Sequence, residues 1–276
     1  MQILSGKELA QKELDKLKAE LKELDLPRAP IMAIVQVGNN PASNKYVETK
    51  IKKCNEVGIE AVLYKFDENI TQNALLKKLD DINENSDGVI IQLPLPRHIP
   101  KQVILDAVPY TKDIDGLSTK NEFKLYNDTN EKHFVPATAR AVLELMDHYQ
   151  IDVKDKKVCV VGRSHLVGKP LAHIIKRRGA TVATYDENTG VKGVESGDIV
   201  IVAIGVAKYI KEDHIKEGAI VIDVGTNLDD NLTSELCGDV DHDGVKDKVA
   251  ALTPVPGGVG PMTVVCLLKN LVDIIR

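Results

Sequence analysis

The sequence predicts an α/β protein in which helices alternate with the strands of parallel sheets. Several short apolar runs, among them Ile31–Val37, Val158–Val161 and Ala219–Val224, have the unbroken hydrophobicity of strands that are buried on both faces. Segments with the spacing of amphipathic helices separate these runs. At 276 residues, the chain is long enough to form two domains with separate cores.

Composition and charge exclude several classes of protein. The formal net charge is −5, aromatic residues make up 4% of the chain, and no basic block is present. A nucleic-acid surface needs clustered basic and aromatic side chains, so nucleic acid is not expected as a partner. The cysteines are far apart, the first residues lack an apolar signal core, and no apolar run reaches transmembrane length. We therefore expect a reduced, soluble, cytoplasmic protein without a membrane partner.

The first predicted elements are a helix, a strand and a second helix. The capping box Ser5-x-x-Glu8 predicts a helix that begins near Gly6 and carries one apolar stripe. The run Ile31–Val37 is a predicted strand, ended by a Gly-Asn-Asn-Pro turn. Ser43 is expected to cap the second helix, which ends at about Val57 before a glycine.

Polar residues at three places in the first half are candidates for function. Tyr46 and Lys50 are four residues apart and share a helix face; the spacing alone favours an exposed tyrosine that covers the lysine stem. Gln92 lies in the short strand Val89–Leu93, where its amide is either satisfied in the core or directed at a ligand. Prolines end this strand directly after Gln92, which favours the second interpretation. Asp115 precedes a glycine, a pair that by itself indicates a turn.

The rest of the first half continues the alternation of strands and helices. A strand and two helices are predicted at Ile59–Phe66, Thr71–Asn83 and Lys101–Val108. The segment Asn121–His133 is polar and has no period, so we expect a linker-like excursion there. A further helix begins at Pro136.

The segment Lys157–Pro170 combines a buried strand, a tight polar turn and a helix. This arrangement presents the unpaired N–H groups of a helix N-terminus to a phosphate. The spacing Gly162-x-Ser164-x-x-x-Gly168 departs from the dinucleotide fingerprint G-x-G-x-x-G. A P-loop is excluded because proline follows the lysine, and a nucleophile elbow because Leu166 stands where glycine is required. Dinucleotide binding therefore fits best.

Three further apolar strands follow this turn and complete a predicted parallel sheet. They are Thr181–Tyr185, Asp198–Ile204 and Ala219–Val224. Each ends in a glycine or a polar residue, so we expect ligand contacts to collect at the carboxyl ends of the strands.

The last part of the chain contains an incomplete metal motif and a stiff loop. Asp239–Gly244 has the first ligands of a calcium loop, but Ala250 stands where a bidentate glutamate is required, so a polar hairpin is predicted instead. The histidines have no metal-ligand spacing either, and no metal is expected. The Gly- and Pro-rich loop Thr253–Thr263 allows close backbone approach to a ligand, and a buried helix, Val264–Ile275, is expected to follow.

Taken together and in order, these motifs resemble the bifunctional methylenetetrahydrofolate dehydrogenase/methenyltetrahydrofolate cyclohydrolase family. The resemblance covers nearly the whole chain. It is carried by Tyr46-Val-x-x-Lys50, Ile91-Gln92-Leu-Pro-Leu-Pro96, Lys112-Asp-Ile-Asp-Gly116, Val161-Gly-Arg-Ser164 with Val167-Gly-Lys-Pro170, Ala219–Gly225, Gly238-Asp-Val240 and Thr253–Thr263.

The resemblance implies two α/β domains with a folate cleft between them. The N-terminal catalytic domain would comprise residues 1–118 and be completed by a C-terminal helix at 262–276. A Rossmann-like, parallel-sheet NAD(P)-binding domain would comprise residues 136–258. Members of the family commonly form homodimers, so a homodimer is expected here.

The resemblance also implies the reaction and its residues. The enzyme would oxidise methylenetetrahydrofolate by hydride transfer to NADP and hydrolyse the methenyl product to 10-formyltetrahydrofolate. Lys50 would activate water and shuttle the proton, and Gln92 would hold that lysine and help to polarise the folate centre. Tyr46 would stack on the folate ring, and Asp115 would accept hydrogen bonds from the pterin. The loop Pro256-Gly257-Gly258 would close over folate and nicotinamide.

The cofactor preference is where the sequence departs from the family. The cofactor-binding residues implied are Gly162, Arg163, Ser164, Gly205 and Thr226, followed by two acidic residues after the second strand of the sheet, Asp186 and Glu187. Many members have Cys-His-Ser there. An acidic residue at this position binds the free ribose hydroxyl of NAD and repels the phosphate of NADP, whereas Arg163 can bind that phosphate. NADP is the cofactor that the resemblance implies, and NAD stays open as the preferred one.

A second departure and two alternatives complete the sequence evidence. The family usually has Pro-Cys-Thr-Pro after the linker, whereas this chain has Pro136-Ala-Thr-Ala139, which would loosen that turn. The alternatives are an enzyme with only one of the two activities and a non-catalytic folate- or nucleotide-binding regulator. Neither explains why Lys50, Gln92 and Asp115 are present together.

Overall fold

The computed structural model describes residues 1–127, 129, 131–228 and 236–276. It consists of two compact units. The three-stranded unit comprises Gln11–Ala137 and Val264–Arg276, and the six-stranded unit comprises Met1–Ala10 and Thr138–Thr263. None of the helices within the described residues combines the length and the apolar composition that a membrane span requires.

The helices and strands follow each other along the chain in the predicted alternation. The helices are α1 (Gly6–Glu23), α2 (Pro41–Val57), α3 (Gln72–Glu84), α4 (Lys101–Asp106), α5 (Thr119–Tyr126), α6 (Ala137–His148), α7 (Gly168–Arg177), α8 (His242–Val245) and α9 (Val259–Ile275). The strands are β1 (Gln2–Ile3), β2 (Ile31–Val37), β3 (Glu60–Phe66), β4 (Gly88–Ile91), β5 (Lys157–Val161), β6 (Thr181–Tyr185), β7 (Ile199–Val202), β8 (Ile220–Asp223), β9 (Asn227–Leu228), β10 (Leu236–Cys237) and β11 (Ala251–Leu252).

The three-stranded unit is built on a parallel sheet of order β3-β2-β4. The central strand β2 is buried along nearly its whole length, which is why it consists of apolar residues on both faces. Side chains from the sheet and from α3 and α4 form one core cluster that includes Val35, Leu75, Val89 and Ile104. β4 ends at Ile91, two residues before the predicted end at Leu93, and Gln92 lies at its carboxyl end, as the sequence predicted.

The six-stranded unit contains a parallel sheet of order β1-β11-β8-β7-β5-β6. The central strands β5, β7 and β8 are fully buried over most of their length and supply a core cluster with Val161, Val202 and Val221. The chain order reverses between β5 and β7, so the carboxyl ends of these strands border a crevice of the kind in which dinucleotides bind. β1 joins β11 at the edge of the sheet, a pairing that the sequence analysis did not include.

Four predictions of local structure were wrong, and the first two concern helices. Asn40, not Ser43, caps α2: its Oδ1 accepts from the backbone N–H of Ser43 at 3.0 Å, and proline occupies the first helical position. The predicted excursion Asn121–His133 contains most of α5. This helix escaped notice because polar side chains, including Asn121 and Lys124, are on its buried face, so its hydropathy has no period.

The other two errors lie near the C-terminus. Instead of a polar hairpin, Asp239–Gly244 leads into the short helix α8, because Asp239 is fully buried and bonded to backbone N–H groups. The last helix begins at Val259 rather than Val264, inside the predicted loop. Pro261 is tolerated in its first turn because the N–H groups there have no partner within the helix.

Candidate active site

A buried lysine and a glutamine meet in the three-stranded unit. Lys50 lies on α2 and is only 8% exposed, and its Nζ donates to Oε1 of Gln92 at 2.9 Å. Gln92 follows β4 and is equally buried; its Nε2 donates to the carbonyl of Leu93 at 2.8 Å, which directs the amide oxygen at the lysine. The peptide bond between Leu93 and Pro94 is cis. The structure thus brings together two residues that are 42 positions apart in the sequence.

Burial and mutual attraction act against each other at Lys50 and Asp115. Burial lowers the pKa of the Lys50 ammonium, and the nearby Asp115 carboxylate opposes this shift. Burial likewise raises the pKa of Asp115 to about 6; the charge of Lys50 opposes this shift and that of Asp113 adds to it. Both groups therefore titrate closer to neutrality than isolated side chains, which suits them to proton transfer.

The turn that carries Asp115 is fixed by a neighbouring carboxylate. Asp113 is buried and accepts from the backbone N–H groups of Gly116 and Ser118 at 3.0 and 2.7 Å. The side-chain amide of Asn121 donates to the same carboxylate at 2.9 Å. Gly116 has a φ of +72°, and a Cβ there would lie 2.9 Å from a backbone oxygen. Asp113 and Asn121 were not candidates at the sequence level; the only signal was their position within and beside the Asp-Ile-Asp-Gly motif.

Tyr46 and Cys54 flank Lys50 one helical turn away on either side. Tyr46 is 41% exposed, so part of this residue is accessible to a ligand on which its ring could stack. Cys54 is fully buried, and burial raises the pKa of its thiol to about 12. Such a thiol is inert as a nucleophile, and Cys54 therefore has a packing role.

In the six-stranded unit, the turn after β5 depends on two glycines. Gly162 has a φ of +113°, and a Cβ at this position would overlap the carbonyl oxygen of Ala203. A Cβ at Gly168, the first residue of α7, would overlap the carbonyl oxygen of Gly162. Ser164 orders the turn between them, since its Oγ accepts from the N–H of Val167 at 3.3 Å. The spacing that differs from the fingerprint therefore still places glycine wherever strand and helix touch.

An arginine and an aspartate join the carboxyl ends of β5 and β6. Arg163 donates from Nη1 to Asp186 Oδ2 at 2.9 Å, and from Nε and Nη2 to the hydroxyl and carbonyl of Thr184 at 3.0 and 2.6 Å. Hydrogen bonds from Thr189 and the charge of Arg163 hold the pKa of Asp186 below its usual value. Glu187, the next residue, is exposed.

A buried carboxylate fixes the loop that contains Gly205. Asp239 Oδ2 accepts from the backbone N–H groups of Ile204 and Gly205 at 2.7 and 2.9 Å, and its Oδ1 accepts from the Asn227 amide at 2.8 Å. Burial raises the pKa of Asp239. Thr226, beside Asn227, is exposed. The sequence analysis gave Asp239 no functional weight.

A second buried carboxylate supports Asp239 from the end of β8. Asp223 Oδ1 accepts from the backbone N–H groups of Gly225 and Asp239, and its Oδ2 accepts from that of Val240. His242 Nε2 lies 2.9 Å from the same Oδ2. The signal that could have identified this network was the acidic residue at the end of the apolar run AIVIDV.

The Gly- and Pro-rich loop belongs to the six-stranded unit. Pro256 follows a cis peptide bond, and Gly257 has a φ of +108°. The carbonyl of Gly257 accepts from the N–H of Lys7 at 2.9 Å. A Cβ at Gly258 would lie 2.6 Å from the carbonyl oxygen of Pro254. The loop therefore needs both glycines for its own geometry. Throughout the described part of the chain, no group of three or more His, Cys, Asp or Glu side chains is placed to hold a metal ion.

The parallel sheet has a strand–turn–helix that depends on glycine, as in dinucleotide-binding proteins. The chain also buries a lysine beside a glutamine, an arrangement suited to acid–base chemistry. Together these features define the class of dinucleotide-binding enzymes with an acid–base group. Comparisons with known proteins identify the family. The model of the tetrahydrofolate dehydrogenase/cyclohydrolase catalytic domain matches residues 4–115, and that of the family's NAD(P)-binding domain matches residues 136–276. The chain belongs to the tetrahydrofolate dehydrogenase/cyclohydrolase family.

Individual relatives agree with this assignment over their whole length. The bifunctional protein FolD of Mycoplasmopsis synoviae is 66% identical over 278 residues, with all of both chains covered. Among solved structures, FolD from Campylobacter jejuni is 39% identical with a TM-score of 0.94, covering 99% of this chain and 98% of that one. The Trypanosoma brucei enzyme, complexed with NADP and an inhibitor, is 33% identical with a TM-score of 0.93, covering 99% and 96%.

Proposed function

We propose that the protein is a bifunctional enzyme of one-carbon metabolism. It oxidises 5,10-methylenetetrahydrofolate to 5,10-methenyltetrahydrofolate with NADP, and it hydrolyses the product to 10-formyltetrahydrofolate. The observation that carries this proposal is the buried pair of Lys50 and Gln92 coupled to Asp115, in a chain whose two parts match the family's catalytic and NAD(P)-binding domains.

Lys50 is the acid–base group of the hydrolysis. Its lowered pKa makes the neutral amine more accessible than in a free lysine, and this form accepts a proton from water as the oxygen adds to the methenyl carbon. The resulting ammonium returns the proton to the pterin nitrogen N5 as the bond from that nitrogen to carbon breaks. The formyl group stays on N10, and the overall hydrolysis of the cation releases one proton. Asp115 stabilises the ammonium form that exists between the two steps.

Gln92 positions the lysine for this transfer. Because its Nε2 is bonded to the carbonyl of Leu93, its Oε1 is the atom that faces Lys50. One N–H of the lysine is thereby directed at Gln92, and rotation of the amide would break both hydrogen bonds. The orientation of the lysine is thus fixed before the substrate arrives.

Asp115 and Tyr46 bind the folate. Above pH 6 the Asp115 side chain is ionised and accepts hydrogen bonds from the amino and ring N–H groups of the pterin. The exposed ring of Tyr46 stacks on the folate.

The residues of the six-stranded unit fit a bound dinucleotide. The close backbone packing at Gly162 and Gly168 forms the tight turn that a pyrophosphate-binding strand–turn–helix requires, and Ser164 and the start of α7 would offer polar groups to the pyrophosphate. Arg163, Gly205 and Thr226 would complete the set of cofactor-binding residues, and the loop Pro256-Gly257-Gly258 would hold the nicotinamide. When bound, NADP supplies the hydride acceptor. The chain's own residues contribute orientation, because hydride transfer requires no protein base.

The protein acts in the cytoplasm as a homodimer, with tetrahydrofolate derivatives as its ligands and without nucleic-acid or membrane partners. The net charge of −5 and the absence of a basic block in the sequence support the expectation that nucleic acid and membranes are not partners. Light scattering of the purified protein tests the dimer, and a mass that corresponds to one chain would refute it.

A coupled absorbance assay tests the two activities. The purified protein is mixed with methylenetetrahydrofolate and NADP, and the formation of reduced cofactor and of methenyltetrahydrofolate is followed. Hydrolysis is then measured in a separate assay with methenyltetrahydrofolate as the only substrate, and the uncatalysed rate is subtracted. We expect both reactions. Binding of folate and cofactor without turnover would instead establish the regulator, and one reaction without the other would establish a monofunctional enzyme.

A further inference from the structure

Each of the three guanidinium nitrogens of Arg163 donates a hydrogen bond to β6 or to the residue that follows it. Its Nε and Nη2 donate to the hydroxyl and the carbonyl of Thr184, and its Nη1 donates to Asp186. β5 and β6 are paired in parallel with Val161 opposite Tyr185, so Arg163 and Asp186 both follow directly after the carboxyl ends of these strands. This is the edge of the sheet at which the adenosine ribose of a dinucleotide lies.

The Asp186 carboxylate is held in place from its other side as well. Its Oδ1 accepts from the backbone N–H groups of Asn188 and Thr189 at 3.1 and 2.9 Å, and from the Thr189 hydroxyl at 3.1 Å. This turn fixes the side chain independently of Arg163. Its Oδ2 is left for the arginine, and the 2.9 Å ion pair neutralises the positive charge that a phosphate would seek.

We propose that Asp186 is a specificity-determining residue that lowers the advantage of NADP over NAD in this enzyme. The proposal rests on the dinucleotide use proposed above. A ribose 2′-phosphate that binds Arg163 must share the guanidinium with Asp186 and lie beside a carboxylate that its own turn prevents from swinging away. A free 2′-hydroxyl meets no such repulsion, because it donates a hydrogen bond to the same carboxylate.

The pair is partly exposed, and this sets the size of the effect. The side chains of Arg163 and Asp186 are 42% and 25% exposed. Solvent weakens the interaction between charges at such a position, so it lies near the lower end of the range for charges in close contact. We expect removal of the Asp186 charge to raise the ratio of kcat/KM for NADP to kcat/KM for NAD by about tenfold, equivalent to 1.4 kcal/mol.

The experiment compares both cofactors in the wild type and in three variants. Asp186→Asn removes the charge but keeps an oxygen that can accept from the turn N–H groups. Glu187→Gln removes the neighbouring charge. Asp213→Asn is the matched control, because this carboxylate is 80% exposed and precedes the amino end of β8, whereas Asp186 follows the carboxyl end of β6. For each, kcat/KM and the dissociation constants of NADP and NAD in the absence of folate are measured, with the melting temperature as a check on folding.

The proposal predicts a wild type that uses both cofactors, a ratio that rises about tenfold in Asp186→Asn through tighter NADP binding, and no change in Asp213→Asn. A cofactor ratio within about twofold of the wild-type ratio in a folded Asp186→Asn protein would overturn the proposal, also if Glu187→Gln raised that ratio instead. A wild type that prefers NADP by more than about a hundredfold would overturn it as well. The binding arm separates this failure from failure of the proposed function, in which neither cofactor would bind.

Discussion

Replacing Lys50 by methionine tests the acid–base assignment most directly. Methionine is unbranched and flexible, so it fills the space of the lysine stem without leaving a large cavity. The substitution removes the ammonium from a site in which it is only 8% exposed, and it deprives Gln92 Oε1 of the donor that lies 2.9 Å away. The folded unit keeps its apolar core, and only the polar contact between α2 and the end of β4 is lost.

The expected magnitudes follow from these contacts. Loss of the partner of a buried acceptor costs about 1–3 kcal/mol, whereas removal of a buried charge releases its desolvation cost. Since the two oppose each other, we expect the free energy of unfolding to change by less than about 2 kcal/mol. Loss of general acid–base catalysis lowers the rate of methenyl hydrolysis by about 10² to 10⁴-fold. The chemistry should therefore suffer far more than the fold.

The same variant moves the titration of Asp115. Lys50 lowers the pKa of this carboxyl group, which burial has raised to about 6. Without the ammonium, the pKa of Asp115 must rise further. We expect the acid limb of folate binding, which reflects protonation of Asp115, to move to higher pH in Lys50→Met.

The assay follows the disappearance of methenyltetrahydrofolate, with NADP binding measured in parallel. Lys52→Met is the control, because it removes an exposed lysine of the same helix. We expect Lys50→Met to lose hydrolysis, to bind NADP as the wild type does, and to unfold near the wild-type temperature. Hydrolysis at more than about a tenth of the wild-type rate in a folded Lys50→Met protein would refute the role of the lysine.

Three other predictions concern the remaining residues. The pKa of Asp115 is about 6 in the folded protein and 3.8 ordinarily, so its contribution to the free energy of unfolding is fully present below pH 3.8 and falls by up to about 3 kcal/mol as the pH rises through 6. Urea unfolding at several pH values should show that Asp115→Asn removes this pH dependence, and an unchanged dependence of stability on pH would contradict the assignment. Gly168→Ala should lower the melting temperature and abolish NADP binding, whereas Gly260→Ala, with open space around it, should be neutral or slightly stabilising; equal effects would exclude the packing argument. Asp239→Ala leaves two backbone N–H groups after β7 without an acceptor, so calorimetry should show that the free energy of unfolding falls by about 2 kcal/mol or more. The KM for NADP should rise, whereas the hydrolysis of methenyltetrahydrofolate should be retained.

Much of the fold could be predicted from local sequence. β2 and β6 were predicted with the bounds they have, because runs of apolar residues between turn signals admit few other structures. The position of Gln92 at the carboxyl end of β4 was predictable because proline, which follows shortly after it, has no N–H to donate to a ladder, although β4 ends at Ile91 and not at the predicted Leu93. The family, too, was recognisable from motifs in order, and the family models confirm it.

Elements stabilised by buried polar groups were not predictable in this way. α5 has no hydropathy period because Asn121 on its buried face is satisfied by the carbonyl of Tyr110 and the carboxylate of Asp113. Asp239 was read as part of a polar hairpin, although backbone N–H groups from a distant loop surround it. A polar side chain can be buried only where partners await it, and those partners come from other parts of the chain.

The sequence by itself determined the class of fold, the positions of the longer parallel strands and the glycines at which backbone must pass close to backbone. These features depend on local hydrophobicity and on the absence of a Cβ, both of which are read residue by residue. Only the tertiary structure decided that Lys50 donates to Gln92 and that Arg163 is paired with Asp186. The charge state and the reach of these side chains depend on burial and on neighbours brought close by the parallel sheets, and sequence spacing contains neither.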